Sequence, residues 1–277
     1  MILEGRSLKE NILLELEKEI SLLDVKPTLV VISVGNDPAS AVYVSNKEKM
    51  SKRVGINFIH EKLEDNINTS ELINIVNKYN NDNSVDGIIV QMPLPNHIDV
   101  NKVINTINAD KDVDGLTDIN AGRLIHNDNS LVSCTPLGII DLLKYYNITI
   151  ESKNVVIVGR SSLVGKPLSN LFLNENATVT MCHSKTKNLK FYTKNSDILG
   201  VAVGKKDFIT RDMIKEGSTV IDVGINRYEG RLYGDVNFME CKDKASYITP
   251  VPGGVGAMTI ASLCMNIYKA GMFKEDL

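Results

Sequence analysis

Apolar residues along this chain follow two rhythms. Stretches with apolar positions at every third or fourth residue alternate with short β-branched runs, the order expected when helices cross between parallel strands. The branched runs predict strands at 28–34, 57–63, 87–91, 154–158, 178–182, 198–201, 219–222 and 246–248, most of them bounded by Gly, Pro, Asn or Asp. The periodic stretches predict helices at 7–23, 39–54, 69–80, 136–146, 167–174 and 259–270. The class is therefore α/β, and 277 residues suffice for two domains at about 100–200 residues each. The polar stretch 118–133 breaks the rhythm before Thr135-Pro136 opens a new helix. The expected partition is a first α/β domain over 1–120 and a second over 121–255, with the last helix, in 256–277, packing back on the first.

Charge and composition narrow the partners. Asp plus Glu number 34 against 31 Lys plus Arg, a net charge of −3, so no global positive field exists to gather nucleic acid or acidic lipid. No run offers the roughly 20 apolar residues of a bilayer span. A small-molecule partner is the reading that remains. Cys134, Cys182, Cys241 and Cys264 are scattered, with no CxxC or Cys/His pair at metal-ligand spacing, which argues against a metal site and a disulfide framework. Reduced thiols and an N-terminus without a secretory apolar core point to the cytoplasm.

After the run Val155-Val156-Ile157-Val158 comes Gly159-Arg160-Ser161-Ser162-Leu163-Val164-Gly165-Lys166-Pro167 and then an apolar helix. Strand, glycine turn and helix start are the ingredients of a dinucleotide fold, with backbone N–H groups facing a pyrophosphate. Aligned on Gly159, the later glycines of GxGxxG fall on Ser161 and Val164, so a plain strand-to-helix turn that binds nothing explains the pattern equally well. The next strand ends in His183-Ser184-Lys185-Thr186. A site for the ribose 2′-hydroxyl of NAD puts Asp or Glu about 20 residues past the turn. A hydroxyl and a cation there, with Arg160 nearby in the first turn, suit the 2′-phosphate of NADP better.

In the first half Tyr43 and Lys47 stand one helical turn apart on one face, which alone describes an ordinary solvated helix. Short-chain dehydrogenases also use Tyr-xxx-Lys, but after their glycine turn, so the order here disfavours that family. Gln91 ends a buried strand that empties into the loop Met92-Pro93-Leu94-Pro95, a position where α/β proteins place ligands. Asp114 stands just before Gly115 in Lys111-Asp112-Val113-Asp114-Gly115. For both, a turn-forming role is the competing explanation.

Seven collinear segments give the chain a close resemblance to the bifunctional methylenetetrahydrofolate dehydrogenase/methenyltetrahydrofolate cyclohydrolase family. They are Tyr43-Val44-Ser45-Asn46-Lys47, residues 86–95, residues 111–115, Cys134-Thr135-Pro136-Leu137-Gly138, Val158-Gly159-Arg160-Ser161, Cys182-His183-Ser184 and residues 249–256. One departure is Ala257, where the family usually has proline; alanine should loosen the start of the final helix without removing a catalytic group.

The resemblance implies a folate-binding substrate domain, a Rossmann-like NADP-binding domain and an active-site cleft between them. It implies oxidation of methylenetetrahydrofolate by NADP and hydrolysis of the methenyl product to formyltetrahydrofolate, one-carbon chemistry that feeds purine biosynthesis. Lys47 would handle the proton, which needs a lowered ammonium pKa near neutrality. Gln91 would hold that lysine, Tyr43 would lie against the folate's aromatic portion, and Asp114 would grip the amino-pyrimidinone end of the pterin. Pro252, Gly253 and Gly254 would admit backbone to the ligands. Gly159, Arg160, Ser161, Ser184 and Ile225 would contact NADP. A homodimer built through the cofactor domain is implied as well. The competing functions are a shikimate-type NADP-dependent dehydrogenase, which leaves Gln91 and Asp114 without a purpose, and a folate- or NADP-binding sensor without turnover, which leaves Lys47 without one.

Overall fold

The computed structural model describes residues 1–128 and 130–273. The chain divides into two compact units, one made of 11–132 with 263–277 and the other of 1–10 with 133–262. This division falls at 132/133 and 262/263, where the sequence partition has 120/121 and 255/256, and it assigns the first ten residues to the second unit. The expected final helix beyond residue 273 lies outside the described residues.

The first unit is built on a parallel sheet, order β2-β1-β3, of β1 (Thr28–Val34), β2 (Asn57–Leu63) and β3 (Gly87–Val90). All seven residues of β1 are buried, the mark of a central strand covered on both faces, whereas β2, on the edge, alternates between exposed and half-buried. Around the sheet lie α1 (Gly5–Ser21), α2 (Pro38–Arg53), α3 (Thr69–Asn80), α4 (Val100–Ile104) and α5 (Asp118–His126). Val30, Ile32, Leu72, Val76, Ile88 and Val103 form a core whose side chains contribute about 1.5–3 kcal/mol each.

Local chemistry starts these helices where they begin. The Asp37 carboxylate accepts from the Ser40 amide at 2.7 Å and Pro38 supplies the pre-set first φ, so α2 starts at the cap. Asn68 and Glu71 form a reciprocal capping box on α3. The stretch 118–133, expected to be an irregular break, holds α5, which Thr117 caps and Asn127 ends in a left-handed conformation. Its polar look comes from caps and a solvent face.

The second unit carries a five-stranded parallel sheet, order β10-β7-β6-β4-β5, of β4 (Asn154–Val158), β5 (Thr178–Cys182), β6 (Ile198–Val201), β7 (Thr219–Asp222) and β10 (Tyr247–Ile248). Strand order reverses between β4 and β6, the switch point outside which doubly wound sheets bind their ligands. An antiparallel hairpin of β8 (Asn226–Tyr228) and β9 (Arg231–Tyr233) follows β7. The helices are α6 (Cys134–Tyr145), α7 (Gly165–Asn174), α8 (Leu189–Thr193) and α9 (Phe238–Cys241), and α10 (Val255–Met272) ends the described chain. Val156, Leu199, Val201, Val220 and Ile248 anchor the core. Among the described residues no helix is long and apolar enough to cross a membrane.

Ala257 lies in the first turn of α10, and its amide donates to the Gly254 carbonyl at 3.1 Å. A proline at this position has no N–H and could not make that bond.

Candidate active site

In the first unit three of the expected side chains meet. Lys47 projects from α2 and its Nζ donates to Gln91 Oε1 at 3.1 Å, with Asp114 Oδ2 at 3.9 Å. The Lys47 side chain is 15% exposed and Asp114's 27%, so the charges are partly screened from water yet open to a ligand.

Gln91 follows the last residue of β3, and its amide still donates to the Ile32 carbonyl at 2.8 Å, which pins its backbone to β1. Its side-chain Nε2 donates to the Met92 carbonyl at 2.8 Å. That bond leaves Oε1, an acceptor, facing the lysine. Ser40, not singled out from sequence, also donates to Met92 O, at 3.1 Å, so the loop with its cis Met92–Pro93 peptide is tied to the start of α2. The signal for Ser40 was its place three residues after the Asp37 cap, on the helix that carries Lys47. Behind Gln91 lies a cavity of about 120 Å³ whose lining includes Ser40, Pro93, Ser33 and His60, the last two joined at 2.8 Å.

Asp114 is held by its turn. Gly115 N donates to the Asp112 carbonyl at 3.0 Å, and Gly115 has φ +64, in the left-handed region. The Asp112 carboxylate is buried, takes the Thr117 amide at 2.8 Å, and burial raises its pKa. Next door, buried Lys111 donates to the carbonyls of Tyr79, Asn80 and Asp82, capping the end of α3. Asn266 Nδ2 from α10 reaches the carbonyls of Val113 and Val132, both at 2.8 Å. Tyr43 lies one turn before Lys47 and is 55% exposed, with its ring open to solvent.

In the second unit the sheet's C-terminal edge is shaped by backbone. Gly159 has φ +132, and a Cβ there would fall on the Ala202 carbonyl at the end of β6, across the switch point. A Cβ on Gly165 would fall on the Gly159 carbonyl. The close approach that a third fingerprint glycine allows is thus supplied by Gly165, one residue later than the spacing used for the sequence, and α7 starts there and not at Pro167. Ser161 Oγ accepts from the Val164 and Gly165 amides at 3.2 and 3.4 Å, leaving its hydroxyl proton to donate outward.

Arg160, Ser161 and Ser184 are exposed. Val158 pairs with Cys182, so residues 160 and 184 leave the sheet at neighbouring strand ends. Gly159, Gly165 and the α7 N-terminus together form a cradle of the kind that takes a pyrophosphate, and an exposed hydroxyl and guanidinium flank it.

A cavity of about 520 Å³ opens further along this edge, its lining including Arg6, Val223, Gly224, Ile225, Pro252 and Gly253. Ile225 is 56% exposed. Gly253 has φ +109 and its carbonyl accepts from Gly5 N at 2.9 Å, whereas Gly254 packs beneath, where a Cβ would meet Thr249 and Pro250. Of the three residues expected to admit backbone to a ligand, Pro252 and Gly253 line this cavity and Gly254 supports it. Burial pushes the Asp222 carboxyl up to about 7, opposed by amide hydrogen bonds and aided by the charge of Asp235.

A lysine paired with an amide and a carboxylate in one α/β unit, and a glycine cradle on a doubly wound sheet in the other, define a two-part enzyme of dinucleotide-binding type. The family model for the tetrahydrofolate dehydrogenase/cyclohydrolase catalytic domain matches residues 3–114, and that for the NAD(P)-binding domain of the same family matches residues 133–275. The chain belongs to the tetrahydrofolate dehydrogenase/cyclohydrolase family. It is 50% identical over 279 residues to the bifunctional protein FolD of Helicobacter hepaticus, covering 99% of this chain and 98% of that one. The crystal structure of the FolD dehydrogenase/cyclohydrolase of Campylobacter jejuni aligns with a TM-score of 0.97 at 44% identity, covering 99% of each chain. The Trypanosoma brucei enzyme, complexed with NADP cofactor and inhibitor, aligns at 0.94 with 33% identity over 100% of this chain and 99% of that one. Shikimate dehydrogenase of Aquifex aeolicus, at 14% identity and a TM-score of 0.52 over 88% of this chain and 97% of that one, shares the fold alone.

Proposed function

We propose that the protein oxidises methylenetetrahydrofolate with NADP and then hydrolyses the methenyl product to formyltetrahydrofolate. The observation that carries this reading is Lys47 Nζ held by Gln91 Oε1 at 3.1 Å beside the Asp114 carboxylate. A shikimate-type dehydrogenase has no need of that grouping, and a sensor has no need of the amine.

The second unit would hold the cofactor. Its pyrophosphate fits the cradle of Gly159, Gly165 and the first amides of α7, and Arg160 and Ser184 suit a 2′-phosphate, with Ile225 toward the nicotinamide half. When bound, NADP supplies the hydride acceptor for the one-carbon bridge. The two-oxygen acceptor of Asp114 suits the adjacent N–H donors of the pterin and fixes its orientation, and Tyr43 offers a ring to the aminobenzoyl portion. In hydrolysis water adds to the methenyl carbon and releases one proton; the remaining hydroxyl proton is passed to the ring nitrogen N5 as the bond from the carbon to N5 breaks, which leaves an N–H at N5 and the formyl group on N10. Lys47 handles the proton of this step, its amine held in place by Gln91.

The wider reading is a cytoplasmic enzyme of one-carbon supply to purine synthesis, with no nucleic-acid or membrane partner. Four buried cysteines, none of them in a disulfide, support that compartment. It acts as a homodimer through the cofactor unit, where β5 is the edge strand of the sheet among the described residues and offers that edge to a second copy. Purified protein given methylenetetrahydrofolate and NADP should yield both reduced cofactor and formyl product; reduced cofactor without formyl product would remove the hydrolytic half. Light scattering at micromolar concentration should give twice the chain mass.

A further inference from the structure

We infer that Asp222 and Asp235 are positioning residues for the nicotinamide half of the cofactor: two buried carboxylates that staple together the loops at the C-terminal edge of the second sheet. The inference rests on the NADP reading above and assigns these residues no contact with cofactor or substrate.

Asp235 is fully buried. Its Oδ2 accepts from the amides of Val203 and Gly204 at 2.6 and 2.9 Å, and its Oδ1 from the Lys205 amide at 2.8 Å and Asn226 Nδ2 at 2.9 Å. Asp222, 3% exposed, ends β7. Its Oδ1 accepts from the Gly224 and Asp235 amides at 3.0 and 2.8 Å and its Oδ2 from the Val236 amide at 2.9 Å. Six backbone amides from three loops, after β6, after β7 and after β9, thus end on two carboxylates. None of these amides bonds within the sheet among the described residues, and each carboxyl oxygen offers lone pairs that can accept more than one of them.

The glycines at this edge follow from the staple. A Cβ on Gly224 would fall on the Asp235 carboxyl, and one on Gly234 on that of Asp222. What the staple fixes is the floor of the 520 Å³ cavity, Val223-Gly224-Ile225, together with the loop that follows β6 at the switch point. The cradle of Gly159 and Ser161 owes it no hydrogen bond. The staple therefore bears on the nicotinamide end and not on the adenosine end, and hydride transfer is sensitive to shifts of about 1 Å.

Asp235→Asn is a sharp probe, because either orientation of the new amide turns an NH2 toward two donors. Asp222→Asn is a milder one, since its NH2 can face Val236 N alone. The folded Asp235→Asn enzyme should lose about tenfold or more in dehydrogenase kcat at saturating substrates. Its inhibition constant for 2′,5′-ADP, which carries only the adenosine end, should stay within about twofold of wild type. Asp222→Asn should follow in the same direction with a smaller loss. A kcat loss below about threefold, or a 2′,5′-ADP constant that rises in step with the loss, overturns the inference. Should Asp235→Asn not fold, hydrogen exchange on the wild type decides: the amides of residues 203–205 should be protected like those of β6, and exchange at open-loop rates overturns the staple. Wild type that fails to reduce NADP refutes the proposed function itself, whereas active wild type with an indifferent Asp235→Asn refutes only the staple.

Discussion

The two units build their working edges from different material. In the first, rigid elements aim three side chains at one point: Lys47 from a helix, Gln91 from a strand end and Asp114 from a turn. In the second, the edge is mostly backbone, shaped by glycines that let main chain pass close to main chain and by carboxylates that hold loop amides. A side-chain site can lose its chemistry while the fold survives, but a backbone site is hard to injure without injuring the fold.

The largest expected effect tests the first half of that contrast. Lys47→Met should lower cyclohydrolase turnover by about 10²–10⁴-fold while NADP affinity and unfolding temperature stay near wild type; stopped-flow absorbance on the methenyl substrate checks it, and retained ring opening removes Lys47 from the chemistry. The matching change in the second unit is Gly159→Ala, which adds a Cβ at φ +132 against the Ala202 carbonyl. It should cost about 3 kcal/mol of stability together with NADP binding. Calorimetry that finds cofactor affinity lost at full stability would refute the coupling.

Asp114→Ala should weaken folate binding by about 1.5–3 kcal/mol with cofactor binding unmoved, the value of hydrogen bonds to a charged group. Equal losses for both ligands in titration calorimetry would point to a disturbed fold.

The smallest effect concerns Asp141 on α6. Its Oδ2 is buried and makes no hydrogen bond among the described residues, and burial pushes its pKa up to about 6 from the ordinary 3.8. A raised carboxylate pKa gives a stabilising contribution that is complete below the unfolded value and is lost as pH rises through the folded one. Wild type should therefore lose about 1–2 kcal/mol between pH 4 and pH 7 through this group, after a discount for partial exposure. Asp141→Asn should flatten that slope in denaturant melts; an unchanged slope excludes Asp141 as its source.

The contrast also explains what could be read in advance. Short β-branched runs located the parallel strands of both sheets within a residue or two, most clearly the central ones, whose two covered faces demand apolar residues. Lys47, Gln91 and Asp114 stood out through the family resemblance, because by spacing alone they also described a solvated helix and turn residues. The backbone edge did not. Gly165 went unused because the fingerprint spacing pointed to Val164. The β8–β9 hairpin has little sequence signal because its strands are only three residues each, Asn226-Arg227-Tyr228 and Arg231-Leu232-Tyr233, joined by Glu229-Gly230 with both φ values positive, where Asn-Gly would have announced the turn. Asp222 and Asp235 carry no signal in the sequence because the amides they serve lie up to 32 positions away. The α5 helix was hidden because a short capped helix with a solvent face reads as loop.

Asn266 stands 153 positions after Val113, whose carbonyl it holds, one residue from Asp114. During synthesis the 153 residues after Val113 must leave the ribosome before that tie can form. The turn that carries Asp114 is therefore finished late, and a nascent chain stopped short of α10 carries Lys47, Gln91 and Asp114 without the clamp that holds that turn.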